Sequence, residues 1–336
     1  MRTFGSGGLS IGIIAAGKTV SYHFGVETAG SSYAPSANTL YEIGSITKTF
    51  ASTILAHAVL EHKVRLNDDI RMFLPGKYPN LEYKGKPIQL EHLANLTSGL
   101  PNWLPDNQEL FRHTAPDSIP YALLKLLSTY SRPDFYGDLH KVRLLSAPGT
   151  NPRHSNVAAQ LLGYLLETIY HQPISTLVAE YITTPLQMHQ TLFHPVQSPD
   201  MAKGYNAKGI VMPEIGLKEL QPAGGLVSST NDMLKYIRYQ LNDSNKVVAL
   251  THRITVRAEQ DTVALNWHID GAGTDKPQIW HTGGTFGFSS YLVLLPKQQT
   301  GIILMSNECD PDTQNRLVKI AQVIIAHLDR DTHPRN

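Results

Sequence analysis

The sequence YEIGSITKTF at residues 41–50 places Ser45 at the start of a helical pattern and Lys48 three residues further on. Residues three apart lie on one face of a helix, so the two side chains are expected to be neighbours. A serine hydroxyl becomes a useful nucleophile when a base takes its proton, and a lysine can be that base if burial lowers its pKa. The pair is a candidate for nucleophilic catalysis, although the motif by itself more often marks a serine that caps a helix.

Two further motifs follow along the chain. Residues 145–156 read LSAPGTNPRHSN, a turn-rich stretch that ends in His-Ser-Asn and leads into a helical pattern. Residues 280–288 read WHTGGTFGF, in which His-Thr-Gly-Gly opens a β-rich run. Glycines on a strand allow a substrate to approach the backbone closely. Both stretches are therefore candidate parts of the same site.

In this order the three motifs resemble the Ser-x-x-Lys, Tyr/Ser-x-Asn and Lys/His-Thr-Gly signature of serine β-lactamases and penicillin-binding proteins. Other stretches are similar to the branch of class C β-lactamases, D-alanyl-D-alanine carboxypeptidases and related esterases. They are HLANLTSGLPNW from His92, PAGGLVSSTNDM from Pro222 and GFSSY at residues 287–291. The resemblance covers about residues 8–310, which is nearly the whole chain.

The resemblance implies a role for each motif, in a site between a β-sheet and a helical subdomain. Ser45 would be the acylated nucleophile, and Lys48 would be its proton partner. Asn156 would hydrogen-bond Lys48 and the substrate amide. The backbone N–H groups of Ser45 and Gly284 would hold the oxyanion. The strand residues expected to contact substrate are His281, Thr282, Gly283 and Gly284.

The second motif departs from the family pattern, because His154 stands where the branch has a tyrosine that serves in proton transfer. An imidazole, with an unperturbed pKa of about 6.5, takes a proton near neutral pH without the large shift that a phenol of about 10 requires. His154 is therefore predicted to be a catalytic base, with an acidic limb in the activity profile between roughly pH 5 and 7. The alternative is that the substitution disables proton transfer.

The third motif carries His281 where β-lactamases usually have lysine, and a histidine there is common among carboxypeptidases and esterases of the family. We predict a serine hydrolase that cleaves an amide, peptide, ester or β-lactam through an acyl-enzyme on Ser45. A class C β-lactamase proper and a non-catalytic penicillin-binding or scaffold protein remain alternatives. The expected partner is a small-molecule or peptide acyl substrate, and the physiological substrate and oligomeric state stay open.

Both chain ends carry β-rich patterns, whereas the middle of the chain carries helical ones. Residues 8–25 resemble a hairpin, and two β-rich runs follow at residues 286–295 and 301–306. Apolar residues at helical intervals predict an amphipathic helix over residues 312–328. Further helices are predicted at residues 47–61, 156–170, 174–182 and 231–241.

These patterns predict an α/β (α+β) fold of the β-lactamase/transpeptidase type. An antiparallel sheet flanked by helices would be formed by both chain ends, with an all-helical subdomain inserted between them. The expected α/β subdomain comprises about residues 1–43 and 216–336, and the helical subdomain comprises about residues 44–215.

The composition points to no macromolecular target. The chain has 336 residues and a formal net charge of +1, and no run of five or more Lys or Arg suggests nucleic acid binding. No segment approaches the roughly 18 apolar residues of a membrane-spanning helix. The resemblance implies a bacterial periplasmic or secreted location, yet the N-terminal residues carry no signal-peptide pattern. No cofactor or metal is expected, because the fifteen histidines lack zinc-ligand spacing.

Overall fold

The computed structural model of the protein describes residues 7–106, 108–193, 198–259, 261–310 and 312–332. Its strands are β1 (Gly8–Ala15), β2 (Lys18–Gly25), β3 (Tyr41–Glu42), β4 (Glu82–Tyr83), β5 (Lys86–Pro87), β6 (Leu192–Phe193), β7 (Tyr205–Asn206), β8 (Leu226–Ser228), β9 (Val256–Arg257), β10 (Thr262–Val263), β11 (His268–Asp270), β12 (Gln278–Gly284), β13 (Ser289–Leu295), β14 (Thr300–Ser306) and β15 (Glu308–Cys309). Its α-helices are α1 (Thr47–Leu60), α2 (Leu90–Ala94), α3 (Gln108–His113), α4 (Ile119–Ser128), α5 (Arg132–Leu139), α6 (Asn156–Tyr170), α7 (Ile174–Val178), α8 (Gln221–Gly224), α9 (Thr230–Gln240), α10 (Lys246–Thr251) and α11 (Thr313–Thr332).

An eight-stranded sheet runs through the molecule in the order β2-β1-β14-β13-β12-β11-β10-β9, with antiparallel neighbours throughout. Strands from the two ends of the chain pair as the second and third strands of this sheet, where Ile11 of β1 lies opposite Leu304 of β14. The hairpin, the two later strands and the C-terminal helix predicted from the sequence are confirmed. The mixed fold with an antiparallel sheet and helices is confirmed as well.

The sheet is covered by helices on both faces, and the alternation of side chains along β1 shows why. Leu9, Ile11 and Ile13 point to one face, where α11 packs with Leu317 and Ala321. Gly12 lies on the opposite face, and a Cβ there would come within 3.0 Å of side-chain atoms of α9. Each aliphatic side chain buried in these two layers contributes about 1.5–3 kcal/mol of hydrophobic stabilisation.

Three helices meet beside β12 and hold the parts of the candidate site. Helix α1 is buried along almost its whole length, and its Phe50 stacks on Tyr236 of α9 with 4.2 Å between the ring centroids. Helix α6 packs against α8 so closely that a Cβ on Gly163 would lie 2.3 Å from the side chain of Pro222. This packing brings the start of α6, the end of α8 and the first turn of α1 to one place.

Candidate active site

Ser45 lies in the 3-10 turn Gly44–Ile46, which leads directly into α1. This turn rests on the end of β12, backbone against backbone. A Cβ on Gly283 would lie 2.0 Å from the carbonyl oxygen of Ile43, and one on Gly44, where φ is +51°, would lie 2.6 Å from the backbone nitrogen of Gly284. Glycine is therefore required at both contacts, and the two backbones hold Ser45 close to the N–H of Gly284.

Lys48 follows on the first turn of α1, and its side chain is only 1% exposed. Its Nζ atom donates hydrogen bonds to Ser45 Oγ at 2.8 Å, to Asn156 Oδ1 at 3.0 Å and to the carbonyl oxygen of Ala223 at 2.6 Å. Burial disfavours the charged ammonium and lowers the pKa of Lys48 to about 7. Near neutral pH a large fraction of the amine is thus free to accept the serine proton.

His154 lies on the loop before α6, and its ring is oriented by Asn102. The Nδ1–H group donates to Asn102 Oδ1 at 2.9 Å, and the same oxygen accepts the backbone N–H of Asn156 at 3.2 Å. This arrangement leaves Nε2 as the proton-accepting nitrogen. Among the described residues, no hydrogen bond joins His154 directly to Ser45 or Lys48.

His154 is exposed to the cavity, but the surrounding atoms still desolvate its ring, and this desolvation, followed by the positive charges of Lys48 and His268, lowers its pKa to about 4. The ring is therefore neutral at physiological pH, as a base must be. The acidic limb expected from the sequence between roughly pH 5 and 7 moves below that window for this residue. The pKa that falls near neutral pH is that of Lys48.

His281 lies on β12 and is only 4% exposed. Its Nδ1–H group donates to the carbonyl oxygen of Thr282 at 2.6 Å. Burial, followed by the positive charges of His268 and Lys48, holds the pKa of His281 well below its usual value. The ring is therefore neutral, and it brings to the site none of the charge that a lysine would carry at this position.

A cavity of about 550 Å³ lies above Ser45 and brings the predicted residues together. Its apolar walls include Trp103, Ile215 and Phe286. The predicted site residues along its surface are Ser45, His154, Asn156, His281, Thr282, Gly283 and Gly284. Lys48 reaches Ser45 from the buried side of this surface.

Four residues of the site were not identified from the sequence. Asn102 orients His154, and the Ala223 carbonyl binds Lys48. His268 and Asp261 also line the cavity and are joined by a contact of 3.0 Å between Nδ1 and Oδ1. Asn102 and Ala223 fall within stretches that resemble the family, but no spacing rule singles them out.

The described ranges contain no three His, Cys, Asp or Glu side chains arranged so that they could hold a metal ion. In the same ranges, no helix combines the length and the apolar character that a membrane span needs.

Comparison with known proteins finds similar sequences and a similar fold. The family model described as Beta-lactamase matches residues 1–325. A β-lactamase of Pseudomonas fluorescens is 26% identical, with 96% of this chain and 94% of that protein aligned. Protein flp of Staphylococcus aureus (strain MW2) is also 26% identical over 89% of this chain, which spans 59% of that protein. The crystal structure of a β-lactamase/D-alanine carboxypeptidase from Yersinia pestis shares the fold, with a TM-score of 0.79 at 22% identity over 96% of this chain and 93% of that one.

Proposed function

This chain belongs to the β-lactamase family, and from that membership we propose that it is a serine hydrolase that forms an acyl-enzyme on Ser45. The observation that carries the proposal is the contact of 2.8 Å between Lys48 Nζ and Ser45 Oγ, made by a buried amine whose pKa is lowered to about 7. A nucleophile beside a base that is neutral at working pH is the arrangement that covalent catalysis needs.

In the proposed acylation step, the neutral amine of Lys48 takes the hydroxyl proton as Ser45 Oγ attacks the substrate carbonyl carbon. The backbone N–H groups of Ser45 and Gly284 stabilise the negative charge that develops on the carbonyl oxygen. The bond to the leaving group then breaks, and Lys48 returns its proton to that group. In deacylation, a water molecule attacks the acyl carbonyl and loses one proton to a base, and that proton passes to Ser45 Oγ as the bond between this oxygen and the acyl carbon breaks.

His154 is proposed to accept the proton of that water. Its Nδ1–H group is held by Asn102 at 2.9 Å, so the lone pair of Nε2 is available. Because its pKa is lowered to about 4, the ring is a weak base but is fully neutral at pH 7. At pH 7 almost none of the ring carries a second proton, so Lys48, which has taken the proton of Ser45, is the group that protonates a departing amine.

The substrates that we expect follow from these separate proton-transfer roles of Lys48 and His154. A departing phenoxide needs less protonation than an amine, so esters with good leaving groups make smaller demands on the site. We expect aryl esters of short acyl groups to be hydrolysed readily. We expect β-lactams and peptides to react slowly or to stop at the acyl-enzyme.

A hydrolysis panel on the purified protein tests this function. The panel comprises p-nitrophenyl acetate and butyrate, D-alanyl-D-alanine peptides and nitrocefin, and the mass of the intact protein is measured after each exposure. We expect measurable ester turnover and a smaller rate with nitrocefin. Nitrocefin turnover of about 10⁷ to 10⁸ M⁻¹s⁻¹ would instead identify a class C β-lactamase proper. A protein with neither turnover nor an adduct would be a scaffold.

His154→Ala is expected to lower ester turnover by about a hundredfold, the lower end of the range for a positioned proton-transfer group. The burst of p-nitrophenol should remain while the steady-state rate falls, because Lys48 still serves acylation. His189→Ala, at an exposed histidine outside the cavity, is the matched control. Wild-type steady-state turnover in His154→Ala would remove the residue from proton transfer.

A further inference from the structure

Strand β2 forms one edge of the eight-stranded sheet, and among the described residues no strand pairs with its outer side. It pairs with β1 along its whole length, from Ala15 opposite Lys18 to Gly8 opposite Gly25. Six of its eight residues are exposed, so another strand can reach this edge. The strand contains no proline, and its continuous pairing leaves no bulge. Two of the features that usually protect a sheet edge are therefore missing.

Large apolar side chains line one face of this edge. Val20, Tyr22 and Phe24 are 43%, 52% and 54% exposed. They lie opposite the β1 residues that α11 covers, so this apolar face of the sheet continues onto β2 without a cover. The other face of β2 is polar, and Arg238 of α9 donates a hydrogen bond to Thr19 Oγ there at 2.9 Å. A row of apolar side chains on an open edge is typical of a surface that another strand covers.

The hairpin geometry shows which backbone groups this edge presents. Ala16 and Gly17 both have positive φ and form the two-residue turn, so the residues that flank the turn are a hydrogen-bonded pair. Hydrogen-bonded and non-hydrogen-bonded pairs alternate along an antiparallel ladder. The even-numbered residues of β2 therefore bond to β1, whereas odd-numbered residues such as Ser21 and His23 direct their N–H and C=O groups outward. In the described part of the chain these outward groups have no backbone partner.

Antiparallel pairing of β2 with the same strand of a second copy satisfies both the backbone groups and the apolar row. A two-fold axis at Tyr22, perpendicular to the sheet, places Ser21 opposite the partner's His23, and these residues exchange both N–H···O bonds. Tyr22 then faces the partner's Tyr22 in a non-hydrogen-bonded pair, where side chains lie closest. Val20 faces the partner's Phe24. A shift of two residues in either direction would pair Val20 or Phe24 with a position outside the apolar row, and a shift of one would set apolar against polar side chains.

The charge of β2 is compatible with this pairing. Lys18 is the only Lys, Arg, Asp or Glu of the strand, and it lies at one end. Natural edge strands often carry lysine within the strand, where it repels a second strand. In the two-fold arrangement the two Lys18 side chains lie at opposite ends, roughly 27 Å apart along the strands, so their repulsion is screened. A foreign strand would have to match this alternation of side chains, whereas a second copy matches it by symmetry.

We propose that the open edge of β2 is a docking surface for a second copy of this chain, so that two β2 strands join two sheets into one across a two-fold axis at Tyr22. The inference is independent of the proposed hydrolase function, because it concerns an edge of the sheet remote in sequence from the site motifs. A single pair of strands is expected to bury less than the roughly 1,200 Å² at the lower limit of stable interfaces. We therefore expect a weak dimer with a dissociation constant on the order of 10 µM.

Sedimentation velocity over a concentration series tests the dimer. The series runs from about tenfold below to about thirtyfold above that dissociation constant, and the wild-type protein should change from monomer to dimer across it. Tyr22→Lys places two ammonium groups opposite each other at the axis, so we expect the dissociation constant to rise at least about a hundredfold. Tyr33→Lys, at a tyrosine outside β2 that is 75% exposed, is the matched control and should dimerise as wild type. The thermal unfolding midpoint shows that each variant is folded.

A cysteine at position 22 tests the register. Residues that face each other in a non-hydrogen-bonded pair have Cβ atoms about 4.5–5.5 Å apart, which is close to the separation that a disulfide spans. The native thiol is first removed by Cys309→Ser. In that background, oxidation with diamide should join two Tyr22→Cys chains, as measured by intact mass and by a non-reducing gel. Tyr33→Cys in the same background should stay monomeric.

Three results would overturn the proposal. The first is a wild-type protein that stays monomeric over the whole series, which would assign the apolar row of β2 to a partner other than a second copy. The second is a dimer that persists unchanged in folded Tyr22→Lys, and the third is a cross-link that forms as readily in Tyr33→Cys as in Tyr22→Cys. A wild-type protein that dimerises but hydrolyses no ester would contradict the hydrolase function and support the dimer.

Discussion

Ser45→Ala is expected to reduce the hydrolysis of every substrate to below about 1% of the wild-type rate, because nucleophile removal from a concerted site costs several orders of magnitude. The acyl adduct should disappear from the intact-protein mass spectrum as well. The fold should survive, since the lost side chain is small and Lys48 keeps its hydrogen bonds to Asn156 and to the Ala223 carbonyl. Ester turnover, intact mass and the thermal unfolding midpoint measure these three effects.

Ser32→Ala, at an exposed serine outside the cavity, is the control for that substitution and should behave as wild type. If Ser45→Ala kept more than a few per cent of the activity, the nucleophile would have to be sought elsewhere. A folded Ser45→Ala protein that still acquires a stable adduct would lead to the same conclusion, and peptide mapping would locate the modified residue.

Ser45 and Lys48 could be predicted from the sequence because their relation is local. Two residues three apart at the start of a helix must share a face, and the observed contact of 2.8 Å follows from that geometry. The spacing alone does not predict that Lys48 is buried. That burial depends on α8, whose Ala223 is 175 positions away and was not singled out.

The motifs at residues 154–156 and 281–284 were identified through the resemblance, since no local rule relates them to Ser45. For the same reason, the contacts that these side chains make could not be predicted from the sequence. Asn102 binds His154 across 52 positions, and only the folded chain shows that this bond leaves Nε2 free. No sequence pattern indicates that the ring of His281 is buried and donates a hydrogen bond to the Thr282 carbonyl.

Among the helices, those with long apolar repeats were predicted from the sequence, and some short ones were not. The predictions for residues 47–61 and 156–170 correspond to α1 and α6, whose apolar residues recur over three turns or more. Helices α4 and α5 were not predicted. Both are short and follow prolines or turn residues, yet α5 starts with a capping box in which Ser131 and Asp134 bind each other's backbone N–H groups. A search for such caps would have identified α5.

Lys48→Ala is expected to lower ester turnover by about a thousandfold, in the middle of the range for proton-transfer groups, because no other amine contacts Ser45 Oγ among the described residues. The pH profile gives an independent readout. Burial lowers the pKa of Lys48 to about 7, so the catalytic neutral form gains population as the pH rises through that value. Wild-type kcat/KM should therefore increase through pH 7 and level off above it, and the variant should lack this limb.

Lys48→Arg separates charge from basicity at the same position. The guanidinium stays protonated at every accessible pH, so it can fill the space and carry the charge but cannot accept the serine proton. We expect it to be as inactive as the alanine variant. Lys125→Ala, at an exposed lysine of α4, should keep both the rate and the limb. A loss of ester turnover under roughly threefold in Lys48→Ala would be far below the usual effect of a proton-transfer group. That result would mean that His154, and not Lys48, activates Ser45. In that case the limb would move down toward pH 4, because the pKa of His154 is lowered to about 4.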